Sequence, residues 1–331
     1  MLSAIKRFYN PVLFQGSLSR RRYFEGWYFK HVSADRRSVF AFIPGVSLSG
    51  PSSHAFVQMI EGTTGSTRYF PYPLDAFQAA RDRFEIAIGA SHFSLSGIEV
   101  HVRDTAGAID ARLEYSGITP FPSRPLSPGI MGPYAFAPFM ECYHGIGSLD
   151  HRVDGEVRAS GGSVGFAGGS GYIEKDWGRS MPQAWVWCQS NTFDVPGTCL
   201  LFSIARIPWL GRSFPGFFAV LLEGGRIHRF ASYTGARLTR FVVAGREVQA
   251  DIQGRHSTLS LSGLRSHEGV LMAPVDGAMD RRIGESIDAR VAVRLKDPAG
   301  RVLFEGRGEC AGLEIVGDPA LLMPLRSPPR S

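Results

Sequence analysis

The chain has 331 residues, of which 44% are hydrophobic and 20% charged, so intrinsic disorder is excluded and two domains of roughly 150 residues are expected. Part of the formal charge of +6 lies near the start, in Lys6, Arg7 and the run from Arg20 to Arg22. This basic region predicts either a solvated edge or a peripheral contact with an anionic membrane surface. A nucleic-acid partner is excluded because the other arginines are scattered among acidic residues and no recognised binding motif occurs.

The sequence predicts a cytoplasmic protein that is peripheral to a membrane at most. The first ten residues lack the apolar stretch of a secretory signal, and the most apolar later run, "FPGFFAVLL", is far shorter than the ~20 residues of a membrane span. The four cysteines include no CxxC pair, so reduced and mostly buried thiols are expected. They are Cys142, Cys188, Cys199 and Cys310.

Short segments rich in aromatic and β-branched residues follow one another along the chain, separated by Gly, Pro, Ser or Asp. In chain order they are "YFEGWYFKHV" (23–32), "SVFAFIPGV" (38–46), "HAFVQMIEG" (54–62), "RFEIAIG" (83–89), "AWVWCQSN" (184–191), "CLLFSIARI" (199–207) and "FFAVLLEGG" (217–225). The only helix candidates are residues 73–84 and a turn near residues 279–286. An all-β protein is therefore predicted.

Five short matches recur in the same order in the two halves, with a slowly growing offset. They pair Trp27 with Trp187, Ser38 with Cys199, Ala55 with Phe217, Phe93 with Leu259 and Asp110 with Asp288. Single matches of this kind arise by chance, but five in one order indicate an ancient duplication. Two related β-barrels or β-sandwiches follow from it.

The proline-rich segment 119–139 is predicted to connect the two domains, because its prolines interrupt a continuous sheet. The predicted domains are residues 1–135 and 136–331. The glycine-rich hairpin material of residues 140–177 has no clear counterpart in the first half. It is assigned to the second domain.

Strand alternation places mixed polar and aromatic groups on common faces of several predicted strands. The shared faces hold Trp185, Trp187, Gln189 and Asn191; Glu174 and Asp176; Glu25, Trp27 and Phe29; and His54, Phe56 and Gln58. A core strand more often puts its polar residues opposite its aromatic ones. These faces therefore favour a pocket that holds a ring-bearing polar ligand.

The longest of these segments resemble the tocopherol cyclase family and its bacterial relatives, over nearly the whole chain from Asn10 to Asp318. The resemblance is carried by "YFEGWYFK" (23–30), "HAFVQMIEG" (54–62), "ECYHGI" (141–146), "GYIEKDWGRSMPQAWVWCQSN" (171–191) and "AGLEIVGD" (311–318). It implies two lipocalin-like halves and, for plant and cyanobacterial members, closure of a prenylated hydroquinone to a chromanol. Those members read "EKNWG" where this chain reads "EKDWG", so the resemblance is closer to bacterial members and names no substrate.

Ring closure of this kind defines the side chains that the site needs. Adding a phenol oxygen across an alkene requires an acid, aromatic faces for the developing cation and an apolar channel, and needs neither a metal nor a redox cofactor. Glu174 or Asp176 is the predicted proton donor. The predicted substrate contacts are Trp27, His54, Gln58, Trp177, Trp185, Trp187, Gln189 and Asn191.

The same residues also have structural interpretations. Each tryptophan is a candidate for core packing with a bonded indole N–H, and Glu174, Lys175 and Asp176 for a charged surface turn. His144 with Glu141 matches no strong metal-ligand spacing, even when His151 is included. A hydrogen-bonded structural histidine is favoured at position 144.

The leading hypothesis is a cofactor-independent cyclase, an intramolecular lyase of the isomerase class, acting on a prenyl-quinol or related isoprenoid. The alternatives are a non-catalytic lipid carrier and a hydratase or pericyclase acting on a polyene. A hydrolase and a dehydrogenase are rejected. "GGSVG" (161–165) and "GRGECA" (306–311) match their motifs in letters only, since neither precedes a predicted helix.

Overall fold

A computed structural model describes residues 2–138, 140–159, 162–209 and 211–323. One helix, α1 (Leu2–Tyr9), precedes a series of strands. The first twelve are β1 (Tyr23–Val32), β2 (Val39–Leu48), β3 (His54–Glu61), β4 (Thr67–Tyr72), β5 (Phe77–Ala79), β6 (Glu85–Ile88), β7 (Ser91–Ser94), β8 (Gly97–Asp104), β9 (Gly107–Ser116), β10 (Cys142–Ala159), β11 (Gly162–Gly165) and β12 (Gly169–Gly178).

The remaining strands have the same short, aromatic and β-branched character. They are β13 (Trp185–Ser190), β14 (Thr192–Phe193), β15 (Cys199–Trp209), β16 (Arg212–Glu223), β17 (Arg226–Ala231), β18 (Arg237–Ala244), β19 (Glu247–Gln253), β20 (Thr258–Leu264), β21 (Gly269–Val275), β22 (Ala278–Lys296) and β23 (Val302–Val316). Single 3-10 turns lie at Gly50–Ser52, Leu74–Ala76, Gly132–Phe136, Ser232–Thr234 and Pro319–Leu322. The all-β prediction is confirmed.

Both predicted helices are wrong. Leu74–Ala76 forms only a 3-10 turn, and the next residues form β5. Phe77 and Phe84 are buried against Trp27, with ring centroids 6.4 and 6.1 Å away, so tertiary packing overrides the local helical preference. Residues 279–286 belong to strand β22.

The strands form two large antiparallel sheets. The first has the order β4-β3-β2-β1-β12-β10-β9-β8-β7-β6-β5, with β11 paired to β10. The second has the order β17-β16-β15-β13-β23-β22-β20-β19-β18, with β14 paired to β23 and β21 paired to β22. In each sheet the first strand in the chain pairs with the last one, β1 with β12 and β13 with β23. The other strands follow on either side of this pair.

The chain divides into two compact units. The first comprises Met1–Met181 and His267–Asp288, and the second comprises Pro182–Ser266 and Ala289–Ser331. The boundary predicted after residue 135 lies inside the first unit. The physical reason is hydrogen bonding, because β10 pairs with β9 and β12 pairs with β1, so that both strands complete the first sheet.

The sheet orders agree with the first three sequence matches of the predicted duplication. β1, β2 and β3 are successive neighbours in the first sheet, as β13, β15 and β16 are in the second. The last two matches do not agree with the strand orders. Phe93 lies in β7, whereas Leu259 lies in β20, the strand whose position in the second sheet corresponds to that of β9 in the first. The hairpin material of residues 140–177 has its counterpart in β22 and β23.

Each unit has its own apolar core. Trp27, Phe29 and Ile173 are among the residues that fill the first, and Val186 and Cys188 are among those that fill the second. Three of the four cysteines are buried and Cys142 is partly exposed, as the prediction of mostly buried thiols requires. No helix in the described ranges is long and apolar enough to cross a membrane.

Candidate active site

The strand pair of β1 and β12 presents different chemistry on its two faces. The pair is antiparallel, with Trp27 opposite Lys175 and Tyr28 opposite Glu174. Trp27 and Phe29 lie in the core of the first unit, so alternation directs Tyr28 and Glu174 to the opposite face. The predicted acids therefore lie on the face that points away from the core.

His144 lies between the two predicted acids. Its Nδ1 is 2.9 Å from Oδ1 of Asp176, and its Nε2 is 3.3 Å from Oε2 of Glu174. Only 10% of the His144 side chain is exposed. Although burial opposes the charged form, the two carboxylates raise the pKa of His144 to about 10. His144 is therefore an imidazolium at neutral pH, held in a double ion pair.

Two tyrosines and a third carboxyl group extend this cluster. The Tyr172 hydroxyl donates to Oε2 of Glu174 at 2.6 Å, and the Tyr28 hydroxyl donates to Oε1 of Glu285 at 2.5 Å. Burial and the charge of Glu174 raise the pKa of Glu285 to about 8. Glu285 is therefore mostly protonated at neutral pH. The cluster holds two proton-bearing groups, His144 and Glu285, in buried surroundings.

Gln58 attaches the hairpin of β21 and β22 to β3. Its Nε2 donates to the carbonyl of Met272 at 3.0 Å, and its Oε1 accepts from the Met272 N–H at 2.8 Å. The Ser47 hydroxyl adds a 2.6 Å bond to the carbonyl of Gly277. Because β22 carries Glu285, these bonds position that carboxyl group. This role of Gln58 differs from the substrate contact that was predicted for it.

Replacing Gln58 with leucine is expected to lower the free energy of unfolding by about 1–3 kcal/mol. The change leaves the N–H and carbonyl of Met272 without their partners at a site where Gln58 is only 3% exposed. Chemical denaturation measures the loss. Gln78→Leu, at an exposed position of β5, is the control and should stay within about 0.5 kcal/mol. Equal stability of the two variants would contradict the role given to Gln58.

Lys175 points to the other face of β12 and binds the N-terminal segment. Its ammonium pairs with Glu25 and donates to the carbonyls of Pro11 and Leu13 at 2.8 and 2.5 Å. It also lies 4.8 Å from the ring centroid of Trp27. Burial lowers the pKa of Lys175 to about 8, against the attraction of Glu25. The charged trio at 174–176 is therefore no surface turn, because its central residue is fully buried.

Trp27 is a core residue that helps to hold the same segment. Its indole Nε1 donates to the carbonyl of Val12 at 2.8 Å, and its ring stacks near Phe77 and Phe84. The side chain is fully buried on the face opposite His144. Trp27 thus has the packing and the bonded indole N–H of the structural interpretation, and its predicted contact with a substrate stays a prediction.

A pocket of about 400 Å³ lies in the first unit, and His144 forms part of its wall. Trp177 lines it too and stacks on Tyr143, with ring centroids 5.5 Å apart and an interplanar angle of 11°. Phe8 and Met140 add apolar surface. Trp177 therefore lies on the pocket wall with His144, and its predicted contact with a substrate stays a prediction.

His54 is engaged at the start of β3. Its Nδ1 is 2.8 Å from the carbonyl oxygen of Ser52, and its Nε2 is 2.5 Å from the hydroxyl of Tyr69. Its ring also packs near Phe56, with centroids 6.1 Å apart. The structure does not bring His54 into contact with His144 or the carboxylates, so its predicted role as a substrate anchor stays a prediction.

The remaining predicted contacts lie in the second unit. Val186 and Cys188 enter its core, so Trp185, Trp187 and Gln189 share the opposite face of β13, as alternation predicts. The indole Nε1 of Trp185 donates to Glu314. The Gln189 amide donates to Oδ1 of Asn191 at 3.3 Å. All four predicted residues are buried, and their contact with a substrate stays a prediction.

The cluster at His144 also has the composition of a metal site. The ligand atoms of His144, Glu174 and Asp176 lie within 4.8 Å of one another. However, each ring nitrogen of His144 faces a different carboxylate, whereas a metal-bound histidine gives one nitrogen to an ion that it shares with the other ligands. The geometry is that of a doubly paired imidazolium.

Comparison with known proteins agrees with the predicted resemblance. The family model described as tocopherol cyclase-like matches residues 135–317, more than half of the chain. The chain belongs to the tocopherol cyclase-like family. Family membership supports an enzyme of the cyclase type in general, and it names no substrate.

Solved structures of members of this fold are similar over most of the chain. A putative AttH from Nitrosomonas europaea has a TM-score of 0.51 and 14% identity, covering 88% of this chain and 92% of that one. CghA in complex with Sch210972 has a TM-score of 0.56 and 9% identity, covering 89% of each chain. At these identities the likeness shows the fold alone.

Several residues of the acid cluster were missed from the sequence. His144 was assigned a structural role with Glu141 and His151, but its partners are on β12. Tyr172 lies two residues before Glu174 in β12, so strand alternation alone predicts that the two side chains share a face. Glu285 gave no such signal, because only the fold brings β22 to this site.

Proposed function

We propose that this protein is a cofactor-independent cyclase that closes a ring in a prenyl-quinol or related isoprenoid by acid–base catalysis at His144. The observation that carries the proposal is the position of the His144 ring, between Glu174 and Asp176 and on the wall of an aromatic pocket. A buried group that is protonated at neutral pH supplies the acid that alkene protonation requires.

The pocket geometry favours His144 over the carboxylates as the group that delivers the proton. Glu174 and Asp176 were the predicted donors, but both face the imidazolium, and a carboxylate paired in this way is an acceptor. Glu285 also holds a proton, yet it is not among the residues that line the pocket. Geometry comes before pKa in choosing an acid, so His144 is assigned the role.

The proposed reaction begins with transfer of the Nε2 proton of His144 to the less substituted alkene carbon, because the contact of Nε2 with Glu174, at 3.3 Å, is the longer of the two. The alkene electron pair forms the new C–H bond and leaves a tertiary cation on the other carbon. The phenol oxygen then forms the C–O bond, and the phenol proton returns to the neutral imidazole of His144. No atom is gained or lost, so the product is an isomer of the substrate.

The surrounding charges stabilise the cation in this sequence. Once His144 has lost its proton, Glu174 and Asp176 leave excess negative charge beside the pocket, which attracts the developing cation. Trp177 and Tyr143, whose rings stack on each other, add aromatic surface to the same pocket. The roles of Trp185, Trp187, Gln189 and Asn191 as substrate contacts stay predictions.

Incubation of the purified protein with prenylated hydroquinones of several tail lengths tests the proposal. A ring-closed isomer of unchanged mass, identified by chromatography and NMR, is the expected product. Addition of one water would indicate a hydratase instead, and unchanged substrate that stays bound would indicate a carrier. The absence of ring-closed product at every tail length would contradict the cyclase.

The activity is expected to fall as pH rises through the pKa of His144, because only the imidazolium donates a proton. With that pKa at about 10, the wild type should keep its activity through pH 8 to 9. Glu174→Gln removes one of the charges that raise this pKa. The basic limb of the pH–activity profile of this variant should therefore move to lower pH. Glu114→Gln, at an exposed position of β9, is the matched control and should leave the limb unchanged. Identical basic limbs for all three proteins would refute the assigned role of Glu174.

A further inference from the structure

The pocket beside His144 carries an excess of positive charge. Arg20, Arg21, Arg22 and Arg179 line it, and no carboxylate is among its lining residues in the described part of the chain. Arg179 pairs with Asp276. The three consecutive arginines form no ion pair within the ranges that the structure describes.

The arginines and the apolar residues occupy different depths of the pocket. Arg20, Arg21 and Arg22 are exposed, whereas Met140 is buried. The Arg20 guanidinium lies 4.9 Å from the ring centroid of Tyr23, a buried residue, so its position is supported by packing. The pocket therefore has a cationic mouth, and Met140 with the partly buried rings of Phe8 and Trp177 supplies apolar surface elsewhere on its wall.

We propose that this pocket binds an amphiphile whose anionic group is held by Arg20, Arg21 and Arg22 and whose apolar body extends toward Trp177 and His144. Guanidinium groups recognise carboxylate and phosphate oxygens through paired, charge-assisted hydrogen bonds. The inference rests on the proposed function, and it adds that the substrate carries an acidic group besides the alkene that reacts. A neutral prenyl-quinol can still reach His144 and react, but it lacks the acidic group and is expected to bind more weakly than a substrate that carries one.

Equilibrium binding measures this selection without any turnover. Dodecanoate and dodecanol have the same chain and differ in charge, so isothermal titration of the full-length protein with each isolates the effect of the anionic group. Dodecanoate is expected to bind at least about tenfold more tightly, and this preference should shrink at high salt. Equal affinities, or binding of neither probe, would overturn the proposal.

A triple variant, R20Q/R21Q/R22Q, locates the selection at the mouth of the pocket. It should lose the preference for dodecanoate while its affinity for dodecanol changes little. The matched control is R237Q/R240Q/R246Q, which removes three exposed arginines from the second unit and should retain the preference. A triple variant that keeps the full preference would overturn the assignment, and the salt dependence of the wild type provides a test that needs no variant.

The outcomes separate this inference from the proposed function. If dodecanoate binds as expected but no isoprenoid is cyclised, the pocket assignment stands and the cyclase fails. If neutral prenylated hydroquinones are cyclised efficiently and the arginine variant cyclises them at the wild-type rate, the cyclase stands and the anionic substrate class fails.

Discussion

His144→Gln is expected to lower kcat/KM for ring closure by about two to four orders of magnitude. Glutamine retains hydrogen-bonding capacity and approximate size but cannot carry the proton. The substitution also leaves Glu174 and Asp176 without the positive charge between them. Steady-state kinetics on whichever prenylated hydroquinone the wild type cyclises provides the measurement.

The control for this prediction is His101→Gln. His101 pairs with Asp110 on the surface of the first unit, with half of its side chain exposed, so it resembles His144 in chemistry but not in location. Its activity should match the wild type. If His144→Gln retains near wild-type kcat/KM while folding normally, the acid lies elsewhere, and Glu285 becomes the next candidate.

Lys175→Met is expected to lower the free energy of unfolding by about 3–5 kcal/mol. The ammonium is fully buried and holds Glu25 as well as the carbonyls of Pro11 and Leu13. Its removal leaves Glu25 buried without its cationic partner and takes away two of the hydrogen bonds that hold the N-terminal segment to the sheet. Denaturant titration followed by circular dichroism measures the change.

Two further variants make the prediction specific. Lys296→Met removes a partly exposed lysine near the end of β22 and should cost less than about 1 kcal/mol. Glu25→Gln combined with Lys175→Met should recover part of the loss, because the stranded charge is then removed as well. A Lys175→Met protein as stable as the Lys296→Met protein would show that the buried pair contributes nothing measurable.

The strands were predictable because their signal is local. The segment 23–32 is rich in aromatic residues and is followed by Ser33 and Asp35, and it forms β1 over the same residues. The helix predicted at 73–84 failed because Phe77 and Phe84 pack onto Trp27, a contact that no local pattern records. The domain boundary failed for a related reason, since the return of β10 and β12 to the first sheet is a long-range pairing.

The candidate site was predictable in part. Alternation placed Glu174 with Asp176 on one face, and it placed Lys175 on the other, where it turns out to be structural. The register between β10 and β12 is what brings His144 to the two acids, and register depends on the partner strand as well as on the sequence of either one. The role of His144 could therefore not be predicted from the sequence, whereas the shared face of Glu174 and Asp176 could.

The most direct test of the account is the protonation state of His144. An NMR titration with labelled histidine, assigned by the loss of one signal in His144→Gln, follows the ring of this residue between pH 5 and pH 11. We predict an imidazolium that persists through pH 8 and titrates near pH 10. A His144 ring that loses its proton near its ordinary pKa of about 6.5 would contradict the claim that Glu174 and Asp176 hold it as the acid.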